Sequence, residues 1–301
     1  MAIRKLIGNW FLAFAATLFS LQGISQNSLE LLKLEYANYP GNNLEDQNGN
    51  TFNAVSKIFD ASYRVPVFIT GKWKVLGSVQ FKNFQVNQDE YAFLKNISGA
   101  GVNFTAFRKG EKWSYYFASE INYGSDRWNN FAIGDLILRG SGGIISLGEG
   151  AVKMIGFGVG ASSDFGVPTV LPMFFFRLKI NERMHFEAIL PLKSRISYTM
   201  SPDTYIGFQH FIHYSAFAVS NEYRTEDLKF GKIRSMNGAL FCEQRVHKNI
   251  WLTANGGLLF KNVIYLYDEK RKETNKLAAN INYFLNLKLA VKINRNEYEI
   301  K

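Results

Sequence analysis

The chain has a single cysteine, Cys242. One cysteine allows no internal disulfide, so stability must come from backbone pairing and side-chain packing. Four histidines leave little material for a metal centre. His210 and His213 sit three apart, on opposite faces if the segment is a strand, and no cysteine or acid cluster accompanies them. No cofactor is implied. Glycines at 140, 142, 143, 148, 150, 156, 158 and 160 are not followed by Gly-Lys-Ser/Thr, so they do not form a phosphate loop. Small inward residues and tight turns explain them.

Past the N-terminus the sequence lacks an uninterrupted apolar run of helix-spanning length. The best competitor is 154–176, where Asp164 is the only charge. There Gly156, Gly158 and Gly160 alternate with Phe157 and Val159, and Pro168 and Pro172 follow. In a helix each glycine costs about 1 kcal/mol and each proline about 3. Alternation of glycine with apolar residues fits a strand with a bare inner face.

The N-terminus itself has a different pattern. Arg4 and Lys5 precede an apolar run over 10–21, and Gly23 and Ser25 supply small side chains before Gln26. That is the layout of a secretory signal peptide, with 1–25 removed and 26–301 forming the mature domain. The run is shorter than the ~20 residues that span a bilayer, which argues against a membrane anchor. Gln26 is not a cysteine, so a lipid anchor at this site is excluded. The formal charge of +10 invites a nucleic-acid reading. The signal peptide and the scatter of lysines and arginines argue against it; a basic lumen or rim would favour anionic solutes or outer-leaflet phosphates, and scattered solvated charge is the preferred reading.

What the sequence has in abundance is two-residue alternation. From 277 to 293 the odd positions, including Leu277, Ala279, Ile281, Tyr283, Leu285, Leu287 and Leu289, are apolar. The even positions carry Asn280, Asn282, Asn286, Lys288 and Lys292 among others. A helix would mix these sets, because its faces repeat every 3.6 residues. The stretch also exceeds a soluble strand of roughly 5–6 residues. Similar runs occur at 73–82, 100–107, 113–123 and 252–261. Lipid cannot hydrogen-bond an open sheet edge, so such strands must close. The expected fold is all-β, an antiparallel transmembrane β-barrel of about 12 strands, with 10–14 allowed by three ambiguous regions at 51–69, 131–147 and 184–200. Its last strand must pair with the strand before it and with the first, near 29–39. Aromatics near strand ends, among them Tyr36, Tyr39, Trp73, Trp113, Tyr123 and Trp251, are expected to form interfacial girdles.

One hairpin can be specified in register. A three-residue turn at 181–183 sets Ile180 against Met184, Leu178 against Phe186 and Phe174 against Leu190. Between these, Arg177 faces Glu187 on the lumen side, a cross-strand charge pair worth roughly 0.2–1 kcal/mol.

The sharpest catalytic candidate is His213 with Ser215, which share one strand face as base and nucleophile would. The His-x-Ser pair resembles the outer-membrane lipid A deacylases, which also need an acid to orient the histidine. Ala216 stands where those enzymes carry asparagine, and Glu222 and Glu226 are the nearby acids. The more apolar face holds Ile206, Phe208, Ile212, Tyr214 and Ala216, which turns His213 and Ser215 inward, whereas the deacylases present this pair to lipid. A polar lumen pair is the simpler reading, so no catalytic, cofactor or metal residue is assigned.

The mature region resembles a family of outer-membrane β-barrel proteins of Bacteroidetes-type bacteria, a domain of unknown function. The resemblance rests on Gly23-Ile24-Ser25-Gln26, Leu31-Leu32-Lys33-Leu34-Glu35-Tyr36, the segment 174–191 with Ile189-Leu190-Pro191, and the last hairpin, 240–293. The resemblance carries over no functional residues; the signal peptide, the lack of a mature spanning helix and the alternating strands together point to the outer membrane of a Gram-negative cell. The expected partners are outer-membrane lipids, the barrel-assembly machinery during insertion, and small solutes, with no nucleic acid. Lys301 stands where many barrels end in an aromatic. The leading expectation is a small-solute pore or structural barrel. The alternatives are a lipid-modifying enzyme using His213 and Ser215, and a secreted soluble β-barrel or β-sandwich binding protein.

Overall fold

The computed structural model describes residues 28–87, 91–128, 132–164, 167–225, 228–279 and 281–294. The expected signal peptide at 1–25, Gln26 and Glu226 lie outside them. The strands are β1 (Ser28–Glu45), β2 (Thr51–Ile69), β3 (Trp73–Asn87), β4 (Ile97–Arg108) and β5 (Ser114–Ser125). They continue with β6 (Ile137–Leu147), β7 (Val152–Asp164), β8 (Val167–Lys179), β9 (Met184–Leu190) and β10 (Lys193–Ser201). The last are β11 (Thr204–Ala218), β12 (Phe230–His247), β13 (Ile250–Tyr267), β14 (Glu273–Ala279) and β15 (Asn282–Asn294). Neighbours in sequence pair antiparallel, and β1 closes the sheet on the last strand through pairs such as Leu34↔Leu289 and Tyr36↔Leu287.

β14 and β15 continue one another. Both pair with β13 in a single register, Asn262↔Ala279 and Leu259↔Asn282, so the barrel has 14 staves. This corrects the expected twelve and reaches the upper end of the anticipated range. The segment 154–176 holds two strands, β7 and β8, and 184–200 lies within β9 and β10. The second turn hid because Pro191-Leu192 contains no glycine or asparagine, and apolar residues run through it. The peptide bond Leu190–Pro191 is cis. By contrast 51–69 is one strand, β2.

The last stave is interrupted, unlike the expected run over 277–293. The cause lies in its partner. Between β12 and β13 the register shifts so that Met236 faces Lys261 while Asn237 faces Leu259, leaving Phe260 as an extra residue. A one-residue bulge exchanges the two faces of a strand. In β13 the buried set accordingly changes from Thr253, Asn255 and Leu259 to Asn262, Ile264 and Leu266. β14 follows through Ile264↔Leu277, so Leu277 is fully buried inside and not on the outer face. In β15 the expected alternation holds: Tyr283, Leu285, Leu287 and Leu289 are exposed, while Phe284, Asn286 and Lys292 are buried.

Strand alternation places Ser28 and Asn294, the first and last described residues, at one rim, the base, with the short turns 70–72, 109–113, 148–151, 180–183, 202–203 and 248–249. The longer connections 88–96, 126–136 and 219–229 lie at the opposite rim, the crown. The crown half of the lumen is filled. Tyr39, Phe84, Phe93, Phe217, Ile233 and Phe284 belong to one buried apolar cluster there. Tyr39 stacks on Phe284 at 5.4 Å and Phe93 approaches Phe217 at 6.4 Å. Tyr39 is therefore a plug residue and not part of a girdle. Tyr123 is also buried, and Trp251 meets Lys292 from within at 5.2 Å. Tyr36, Trp73 and Trp113 do face outward.

β11 makes this plug possible. It pairs with β10 as far as Lys193↔Phe211, with one more bond from Ile212 N–H to Leu192 O at 2.9 Å. Beyond that it leans across the barrel, and Ala218 pairs in parallel with Ser125 of β5. Its end is held by Asp126, which accepts from Ser220 N–H at 2.6 Å and Ser220 Oγ at 2.7 Å. Phe217 fits because Gly231 has no Cβ; one would lie inside the ring.

Candidate ligand cavity

Below the plug, the lumen is polar. Charges that point inward meet in ion pairs, between adjacent strands for Lys33 with Asp60 (2.9 Å) and Lys288 with Glu30 (2.9 Å), and across an intervening strand for Lys292 with Glu243 (2.9 Å) and Arg195 with Glu243 (3.5 Å). Arg139 reaches fully buried Glu120 at 3.4 Å. Asn255 donates to Asn286 at 2.7 Å, and Asn286 donates to Glu35 at 2.6 Å. Groups taken out of water need such partners, because an isolated buried charge is very costly.

The expected hairpin register is present pair for pair, from Phe174↔Leu190 to Lys179↔His185. Arg177 and Glu187 face one another inside, with Nε to Oε1 at 3.2 Å. The bare inner face of β7 is also real. A Cβ on Gly158 would collide with the Tyr116 hydroxyl, and one on Gly143 would lie 2.6 Å from the Tyr116 ring. Tyr116 thus lies across these two glycines, and its ring meets Phe175 edge-on at 5.0 Å.

Among these groups lies a cavity of about 360 Å³. Its walls carry eight lysines and arginines against three carboxylates, Glu35, Asp60 and Glu187. Lys193, the first residue of β10, is one of the eight and makes no ion pair or side-chain hydrogen bond among the described residues. His210 also lines the cavity, and its Nε2 is buried without a hydrogen-bond partner.

His213 and Ser215 share the inward face of β11, opposite Ser235 and Ile233. Among the described residues no hydrogen bond joins them. Lys82 and Asp60 line the same cavity as His213. Glu222 pairs with Arg127 at the crown and does not orient the imidazole. His210 and His213 take opposite faces of β11, and no group of three metal-ligating side chains is assembled among the described residues. Cys242 is exposed on β12. Lys82 and Lys288 fall on the polar strand faces that the sequence alternation turns toward a lumen, and both line the cavity; sequence reasoning did not single out Asp60, Lys193 and His210 as lining residues.

A family profile described as "Domain of unknown function (DUF6268)" matches residues 22–297. The chain belongs to this family. No curated protein matches the DUF6268 chain. Among solved structures it is similar to the COG4313 outer membrane channel from Pseudomonas putida F1, at 10% identity and a TM-score of 0.46, over 87% of this chain and 94% of that one. It is also similar to the P. putida toluene transporter TodX, at 7% identity and a TM-score of 0.35, over 94% and 93%. The beta domain of the Bordetella autotransporter BrkA matches at 10% identity and a TM-score of 0.28, over 86% and 98%. At such scores none of them assigns a role to a residue of the DUF6268 barrel.

Proposed function

We propose that this chain is an integral outer-membrane barrel that handles small solutes, with the crown facing out of the cell. The observation that carries the reading is the reversal of the usual protein pattern. Large apolar side chains cover the outside, while charges and amides fill the lower lumen. Phe117 and Ile121 on β5, Phe157 and Val159 on β7, and Leu285 and Leu287 on β15 are all exposed, Leu285 by 62%. A soluble monomer rarely shows an apolar patch above a few hundred Å². A belt around a closed barrel fits lipid, and it argues against the secreted soluble alternative. Three crown connections are longer than any turn at the base, as the outer loops of such barrels are longer than their periplasmic turns.

The apolar plug and the ion pairs together favour a barrel that holds or gates its solute over a wide open pore. Nothing in the arrangement of His213, Ser215 and Glu222 supports the lipid-modifying enzyme. The test is fractionation of expressing cells, followed by gel migration of the protein with and without boiling. A folded barrel in the outer-membrane fraction migrates differently until heated. Recovery in the soluble periplasm with no heat-dependent shift would refute the reading.

A further inference from the structure

The barrel wall has a gap. β9 pairs with β8 only over Phe174–Lys179, and β10 pairs with β11 only to Phe211. The hairpin tip, Pro191-Leu192, therefore ends low, while β8 and β11 run on toward the crown on either side. Pro172 sits on the free stretch of β8, where a residue without an N–H suits an unpaired edge. Val170, Phe174 and Leu190 border the gap and point outward as exposed apolar groups, which sets it within the lipid belt. The cavity reaches this gap: Leu171, Pro191, Leu192 and Ile212 are among its lining residues. The plug closes the crown route above it.

We propose that the cavity binds an anionic single-chain amphiphile, which enters sideways from the outer leaflet through the gap above the β9–β10 hairpin. This rests on the outer-membrane reading. The apolar mouth suits the chain. Most lining cations are paired with carboxylates, but Lys193, directly behind Leu192, has no ion pair among the described residues and suits the acid head, with His210 on the next strand, opposite Ser194. A volume near 360 Å³ falls within the range of roughly 300–1,000 Å³ typical of small-molecule pockets.

The experiment uses the full barrel in phosphatidylcholine nanodiscs and dodecanoate carrying a terminal diazirine. Irradiation should label peptides containing Leu171, Leu192 or Ile212, and excess dodecanoate should compete. Dodecanol, which lacks the charge, and acetate, which lacks the chain, should not. Lys193→Gln should weaken competition about tenfold, the scale of one lost charge-assisted hydrogen bond, and Lys193→Arg should restore it. Uncompeted labelling spread over the outer belt would overturn the site. So would equal competition by dodecanol or acetate, or indifference to Lys193→Gln. The same samples are run with and without boiling. A lost heat shift overturns the barrel reading and this site with it, whereas a normal shift without competed labelling overturns the site alone.

Discussion

The contact between Phe217 and Gly231 offers a demanding test of the plug. Phe217 is fully buried, and its ring occupies the space that a Cβ on Gly231 would need. Gly231→Ala must therefore push the ring aside, an overpacking cost of about 1–3 kcal/mol. Phe217→Ala empties the same space and should cost about 3–5 kcal/mol. The two changes share one volume, so their costs should not add. With the ring gone, the three atoms nearest the new methyl group at 231 are removed, and the double variant should be about as stable as Phe217→Ala alone. Urea unfolding of each variant in detergent, followed by tryptophan fluorescence, gives the cycle. A coupling of at least about 1 kcal/mol is expected; full additivity within about 0.5 kcal/mol would refute the packing described. Phe217→Ala should also speed the passage of small sugars in liposome swelling, because it thins the aromatic plug that Phe217 builds with Phe93.

Asp60→Asn removes the carboxylate that Lys33 and Lys82 share and should destabilise the barrel by about 3–5 kcal/mol in the same urea assay. Glu187→Gln should cost less, about 1 kcal/mol, because Glu187 is only part-buried beside Arg177 and opens on the cavity. At the crown, Asp126→Ala should free the 219–229 connection, read as faster proteolytic nicking there with the heat shift intact. In the turn 46–50, hydrogen bonding from the Asn50 side chain holds the Asp46 carboxyl below its usual range. That support is present above the ordinary aspartate pKa and is lost as pH falls through the lowered one, so protection of the Asn48 and Asn50 amides relative to their intrinsic exchange rates should fall only in acid, and should not change with pH in Asp46→Asn.

The sequence displayed the barrel more clearly than its interior. Strand alternation depends on neighbours two apart, which a single chain displays directly; hence β15, β4 and the Arg177–Glu187 register were legible. Strand number was not, because the turn at Pro191-Leu192 has no glycine or asparagine to mark it. Leu277 and Tyr39 were misplaced for different reasons. The extra residue at Phe260 lies on a partner strand 17 residues away from Leu277, where no local pattern reveals it. Tyr39 looked like an interfacial aromatic by position, yet its inward parity brought it onto Phe284. Tyr214 and Ala216 keep outward parity but do not face lipid. β11 leans inward, so Arg139 of β6 covers Tyr214 at 4.9 Å. The cavity assembles charges from many strands, and its composition follows only once closure sets which strands are neighbours.

Closure of the barrel in the membrane is the claim on which the rest depends. Cysteines at Tyr36 and Leu287, in a Cys242→Ser background, test it most directly, since these residues are partners across the first and last strands. In intact outer membranes, mild oxidation should join them into one faster-migrating band, while the pair at Tyr36 and Ile281 should stay reduced. No cross-link at 36 and 287, or an equal one at 36 and 281, would contradict the closed 14-stave barrel.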